Sequence, residues 1–190
     1  MSGLAYVRDV PCFDALTLAS MHTTPSIGKQ MIDDTTFKEA MSYVCGPVTV
    51  ITTMTPGAEP YGTTVSSFAS LSMDPPLAMF ALDQQSRLLA HCLEFRRVGI
   101  NILSSSQKDS AMSFAQSGGA KFDGVEWTES FGVPRLTGCC AWMTGDIETD
   151  VPGGDHRLLI VRLVGGAVGS GEPLVYGRRT FGTHASVATE

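Results

Sequence analysis

Two stretches carry the residues best able to do chemistry. From Tyr61 to Pro76 the chain reads Tyr61-Gly62-Thr63-Thr64-Val65-Ser66-Ser67-Phe68-Ala69-Ser70-Leu71-Ser72-Met73-Asp74-Pro75-Pro76, with six hydroxyl side chains inside the ten residues Thr63 to Ser72. Val65, Phe68 and Leu71 are threaded among them, and a double proline closes the run. A surface loop has no use for those apolar partners, and a core strand has no use for so many hydroxyls. The segment is expected to form a strand or strand-turn-strand lining a neutral, hydrogen-bonding pocket. Such a wall suits a flat heteroaromatic ligand rich in donors and acceptors. The second stretch is Gly154-Asp155-His156, where a carboxylate stands beside an imidazole it could orient. Taken alone, a histidine in a Gly-rich turn is as readily a solvated loop residue.

Most other chemistries are excluded by pattern. Gly166 to Gly171 reads G-A-V-G-S-G, the wrong order for a dinucleotide fingerprint, and a strand follows it rather than a helix. The chain has no phosphate-binding GxxxxGK[ST] loop and no GxSxG elbow. His22, His91, His156 and His184 are scattered and form no HExxH or Cys/His cluster, so no metal site is expected. Asp146, Glu148, Asp150 and Asp155 are read as a solvated strand-and-turn face. What is left is a pocket rich in neutral polar groups and poor in titratable ones. That suits a reaction whose cofactor brings the reactivity while the protein brings position. Hydride transfer from a nicotinamide to a flavin is one such reaction, needing two stacked rings and little acid–base help.

The elements that must position these residues are mostly short strands. A helix is expected to begin at a Thr36/Glu39 capping box, with Phe37, Ala40, Met41 and Val44 on one face, and to end at Gly46-Pro47. Strands follow at 48–53, within 61–76, and at 77–82. A short helix capped by Ser86 precedes a strand at 98–103. A second capping box, Ser106 with Asp109, opens a helix through Phe114. Residues 117–135 read as a Gly-rich loop, and later strands are expected at 139–148, 157–164 and 174–176. There is no regular βαβ alternation and no repeat, so the expected class is mainly β with peripheral helices, a β-barrel.

Composition bounds the rest. The chain has 190 residues, 43% hydrophobic and 17% charged, enough for one domain with a real core. Its net charge of −6, with no Lys/Arg block, argues against nucleic acid or anionic membrane as the partner. No apolar run is long enough to span a membrane and no secretory signal is evident. The five cysteines are odd in number and form no CxxC pair, and a reducing, cytoplasmic setting is expected. Residues 1–30 show no sustained period and are expected to be a flexible extension or an arm packing on a partner subunit; residues 31–190 form the domain. Trp127 and Trp142 are read as packing residues.

The order of motifs over residues 36–181 resembles the short-chain flavin reductase family, the reductase components of two-component flavin monooxygenases. The resemblance is carried by Phe37 to Met41 leading into Gly46 to Thr53, by Gly62 to Leu77, by Ile100 to Leu103 with Gln107, and by Phe114-Ala115. It continues through Lys121 to Trp127, Gly154-Asp155-His156 and Pro173 to Tyr176. It implies a homodimeric split β-barrel that binds FMN or FAD, oxidises NADH or NADPH, and supplies reduced flavin to a partner monooxygenase. Thr64, Val65, Ser66 and Ser67 would contact the isoalloxazine and ribityl. Ser86 and the stretch holding Asn101, Ser104 and Gln107 would hold the phosphate end. His156 would lie beside the nicotinamide, and Tyr176 would help hold the dinucleotide. Lys121-Phe122 would clamp the ligand or cap a loop. Arg157, Arg178 and Arg179 are read as surface cations rather than a 2′-phosphate clamp, which favours NADH. The rival readings are a split-barrel module that holds flavin without turnover, and an oxidase of a bound small molecule such as a pyridoxamine phosphate.

Overall fold

The computed structural model describes residues 32–185. The expected arm at 1–30 lies outside the described residues. Helix α1 spans Asp34–Ser42. Its cap is Asp33, not Thr36: the Asp33 carboxylate accepts the Thr36 backbone N–H at 2.9 Å and the Thr36 hydroxyl at 2.7 Å. A carboxylate satisfies two donors there and also suits the positive helix end, so it displaces the later Thr36/Glu39 box. The helix stops before Gly46-Pro47, which instead forms the two-residue strand β1.

Strands β2 (Thr49–Met54), β3 (Pro60–Val65), β4 (Ala69–Met73) and β5 (Pro76–Asp83) follow. Helix α2 (Arg87–Phe95) and β6 (Arg97–Ile102) come next. A 3-10 turn at Ser105–Gln107 runs into α3 (Lys108–Ala115). The chain ends in β7 (Trp127–Ser130), β8 (Val133–Leu136), β9 (Ala141–Gly153), β10 (His156–Val168), β11 (Leu174–Gly177) and β12 (Thr180–Thr183). Seven strands form one antiparallel sheet in the order β3-β2-β6-β9-β10-β5-β4. The end strands β3 and β4 do not pair with each other, so the curled sheet stays split. Just past β3, the Ser67 hydroxyl spans the gap: it accepts the Ala81 N–H at 2.9 Å and donates to the Ala81 carbonyl at 3.1 Å on β5. The mainly β fold with peripheral helices is therefore as the sequence led us to expect.

Burial follows the period of each strand. On β5 Ala78, Phe80 and Leu82 alternate into the core, as period two requires. They meet Ile51, Ile100, Leu159 and Val161 from the sheet and Leu88, Leu89 and Cys92 from α2. Burial pushes the Cys92 thiol up to about 12, so it acts as a small apolar group. A second cluster joins Val50 and Leu103 to Ala111 and Phe114 of α3, Leu136 of β8 and Leu174 of β11.

Three further parts of the chain differ from the expected elements. The capping box at the 3-10 turn is Ser104 with Gln107, not Ser106 with Asp109. Residues 117–135, expected as a loop, contain β7 and the start of β8. That hairpin is held from a distance: the Asn101 Oδ1 accepts the Leu136 N–H at 2.8 Å, and the Thr52 hydroxyl donates to the Pro134 carbonyl at 2.6 Å. Gly99 makes room for it, since a Cβ there would lie 2.5 Å from the Thr52 hydroxyl and 2.9 Å from the Pro134 carbonyl. Strands β9 and β10 extend to 13 residues each. The carboxylates along them are matched by arginines: Asp146 with Arg97 at 2.8 Å, Glu148 with Arg162 at 2.5 Å, and Asp150 with Arg157. No described helix is long and apolar enough to cross a membrane.

Candidate active site

Strand β3 and its exit form one wall of a cavity of about 320 Å³. Thr63, Thr64, Val65, Ser66 and Ser67 line it on that side; Ala81, Leu82 and Asp83 from β5, Ser86 and His156 complete it. Six residues singled out in the sequence, Thr64, Val65, Ser66, Ser67, Ser86 and His156, are thus brought together although up to 92 positions separate them (156 − 64). Tyr176 stands in an adjoining apolar cavity that shares Thr64, Val65 and Ser66. Its ring packs edge-on against Phe181 at 5.1 Å.

The hydroxyls of the wall are not equivalent. Thr63 and Thr64 donate to the α3 carbonyls of Phe114 at 3.1 Å and Ala111 at 2.8 Å, fastening β3 to that helix. Their lone pairs remain able to accept. Ser67 is occupied in closing the sheet, as described above. Ser66 is exposed and makes no hydrogen bond among the described residues, so its hydroxyl is the freest donor of the wall. Ser86 is the N-cap of α2, yet its side chain makes no capping bond and stays available beside the unpaired amides of the first helical turn. Replacing Ser66 by valine is expected to weaken flavin binding about tenfold with the melting temperature nearly unchanged, since the hydroxyl supports nothing in the fold. Fluorescence titration and a thermal melt check this, and an unaltered flavin affinity removes Ser66 from the pocket.

His156 opens β10 directly after a two-residue turn. Gly154 takes a φ of +66°, as the first position of such a turn favours. The His156 Nδ1 lies 2.8 Å from the Asp155 carboxylate, and this bond holds the Asp155 carboxyl below its ordinary range. With Nδ1 so engaged, Nε2 is the nitrogen left for a ligand. The turn is tied to the loop before α2. Gln84 donates its backbone N–H to the Asp155 carbonyl at 2.9 Å and its side-chain amide to the Gly154 carbonyl at 2.8 Å. Asp83 sits opposite His156 in the β5–β10 register.

Four residues expected at the ligand lie outside the lining of this cavity. Asn101 is 0% exposed, and its amide donates to the Val50 carbonyl at 3.1 Å and to the Thr52 hydroxyl at 3.2 Å while its oxygen holds Leu136. It has no surface to offer a phosphate. Ser104 and Gln107 spend their polar atoms on each other and on the Thr137 carbonyl, which Gln107 reaches at 2.8 Å. Phe122 packs edge-on against Phe114 at 4.9 Å and Trp127 at 5.7 Å, within the second core cluster. Lys121, by contrast, reaches back to the carbonyls of Phe114 at 3.0 Å and Gly62 at 3.4 Å. Trp142 is buried, as expected of a packing residue.

A second cavity of about 420 Å³, not expected from the sequence, shares Thr63, Asp83 and Ser86 with the first. Gln85, Arg87 and Lys121 also line it. The signal available was the run Gln84-Gln85-Ser86-Arg87 at a helix start, where polar donors and a cation meet free backbone amides.

Comparison with known proteins agrees with this fold. Residues 41–185 match the model of the Flavin reductase like domain. The chain is 33% identical over 153 residues to the reductase component of a 4-nitrophenol 4-monooxygenase/4-nitrocatechol 2-monooxygenase from Rhodococcus opacus, covering 80% of this chain and 82% of that one. It is 31% identical over 156 residues to a flavin reductase (NADH) from Kitasatospora aureofaciens, covering 80% and 82%. Among solved structures, nitrilotriacetate monooxygenase component B from Mycobacterium thermoresistibile superimposes with a TM-score of 0.77 at 28% identity, over 82% of this chain and 90% of that one. Fold and motif order converge with a family match over residues 41–185: this chain belongs to the flavin reductase family.

Proposed function

We propose that this protein is an NADH:flavin oxidoreductase that reduces flavin and hands it on to a partner monooxygenase. The observation that carries the reading is the single cavity setting His156 against Thr64, Val65, Ser66 and Ser67. Its residues fit a flavin. Val65, Ala81 and Leu82 offer apolar surface to a flat ring, and the Ser66 and Ser86 hydroxyls remain free for its polar atoms. The flavin supplies the hydride acceptor and NADH the hydride. The protein's part is then positional: β3 holds one ring system, and Asp155 fixes the imidazole that borders the other. Ser86 and the first-turn amides of α2 would hold a phosphate. The pocket is open to solvent, as release of a product flavin requires.

The partner assignment is supported by the reductase-component relative. A homodimer is also proposed: Met41, Tyr43 and Val44 at the end of α1 are 49%, 57% and 61% exposed, an apolar face that a second copy would cover. The four described cysteines are free, in keeping with a cytoplasmic setting. One preparation tests the whole reading. NADH oxidation followed by absorbance should depend on added FAD or FMN, and sedimentation should give a species of twice the chain mass. A stoichiometric yellow protein that oxidises no NADH would establish the binding module instead.

A further inference from the structure

Cavity walls and charge distinguish one flavin from another. The first cavity, at about 320 Å³, is near the lower bound of small-molecule sites, roughly 300–1,000 Å³. It does not end at Ser86. Through Thr63, Asp83 and Ser86 it passes into the second cavity, which is larger, at about 420 Å³. The wall of that second cavity is cationic on balance, with Arg87 and Lys121 against Asp83 alone. The Asp83 carboxylate is partly spent, accepting the Gln85 N–H at 2.7 Å. Arg87 is exposed and pairs with no carboxylate among the described residues. Lys121 is held by two carbonyls and forms no ion pair among the described residues. Burial pushes its pKa down, so an anion close by restores what desolvation takes from the ammonium. None of these groups is needed by a ring in the first cavity, and none is neutralised by the fold.

We infer that the second cavity takes the ADP half of FAD, so that this protein binds and reduces FAD in preference to FMN. The inference rests on the flavin reading of the first cavity. The two cavities meet at Ser86, the side chain proposed for the phosphate nearest the ribityl, so a second phosphate continues onto Arg87 and Lys121. Gln85, Gln116 and Ser117 then supply neutral donors and acceptors for a ribose and adenine. NADH also carries an ADP half; FAD is favoured because the connecting wall is the wall of the flavin cavity itself.

The test is a fluorescence titration of the full chain with riboflavin, FMN and FAD, for the parent protein and for Arg87→Glu and Arg87→Ala. Arg87 is exposed, so both variants should fold. The parent should bind FAD about tenfold tighter than FMN, the worth of one charge-assisted contact. Arg87→Glu should erase that advantage and Arg87→Ala reduce it, with riboflavin affinity unmoved in both. Equal binding of FMN and FAD by the parent, or equal losses for riboflavin and FAD in Arg87→Glu, overturns the inference. So does a raised KM for NADH with FAD affinity unchanged, which would give the cavity to the nicotinamide dinucleotide. A parent protein that binds no riboflavin overturns the flavin reading itself, which is a separate failure.

Discussion

Alanine at position 156 is expected to lower kcat/KM for NADH by roughly 10–100-fold while the flavin dissociation constant stays within about twofold. The asymmetry follows from where the imidazole stands. It lies across the cavity from the hydroxyl wall, on a hairpin tip held by Gln84 and Asp155, and it supports no part of the core. Its side chain is 46% exposed, so truncation leaves no buried void and should not lower stability. On the proposed reading it borders the nicotinamide, and hydride transfer depends on how closely two rings are held together. The measurements are steady-state NADH oxidation, single-turnover flavin reduction and a flavin titration. A comparable loss in flavin affinity would place His156 against the flavin instead, and unchanged kinetics would leave it a turn residue.

The largest effect on stability is expected from Asn101→Leu, about 3–4 kcal/mol, or a fall in melting temperature on the order of 10 °C. Leucine keeps the branched skeleton of asparagine, so the main cost is the lost polar partners, with the bulk of two methyls at a fully buried position adding to it. The buried Leu136 N–H would lose its acceptor, and the Thr52 hydroxyl and the Val50 carbonyl would lose a donor. The β7–β8 hairpin would lose one of its two long-range ties to the sheet, the other being Thr52 to Pro134. Thermal or urea unfolding checks this directly. If the variant instead keeps its stability and binds FAD weakly, Asn101 returns to the ligand set.

These two residues mark where the sequence sufficed and where it did not. The strands at 49–54, 76–83 and 97–102 were legible because their apolar and β-branched residues repeat over enough positions to declare a period. The hairpin at 127–136 was not. Its strands are four residues long, one carries Pro134, and what holds them comes from residues more than thirty positions away. The caps show a subtler limit. Ser104-x-x-Gln107 and Ser106-x-x-Asp109 both satisfy the pattern of a capping box, and Asp33 competes with Thr36 in the same manner. Local chemistry permits each alternative, and only the path of the backbone chooses.

The hydroxyl-rich segment shows the same division within the site. By itself the sequence determined a polar, uncharged wall with apolar residues threaded through it, because residue types and their period are local properties. It also pointed to chemistry borne by a bound group, since no GxSxG elbow, HExxH motif or GxxxxGK[ST] loop is written in the chain. Tertiary structure decided how each hydroxyl is spent: Thr63 and Thr64 on α3, Ser67 on β5, Ser66 and Ser86 left free. It set Asn101, Ser104, Gln107 and Phe122 apart from the linings of the two cavities, and placed Arg87 beside Lys121 in the second. The physical reason is one of accounting for polar atoms. A hydroxyl, amide or cation binds a ligand only if the fold has not already used its donors and acceptors, and that use depends on carbonyls and carboxylates brought near from distant parts of the chain.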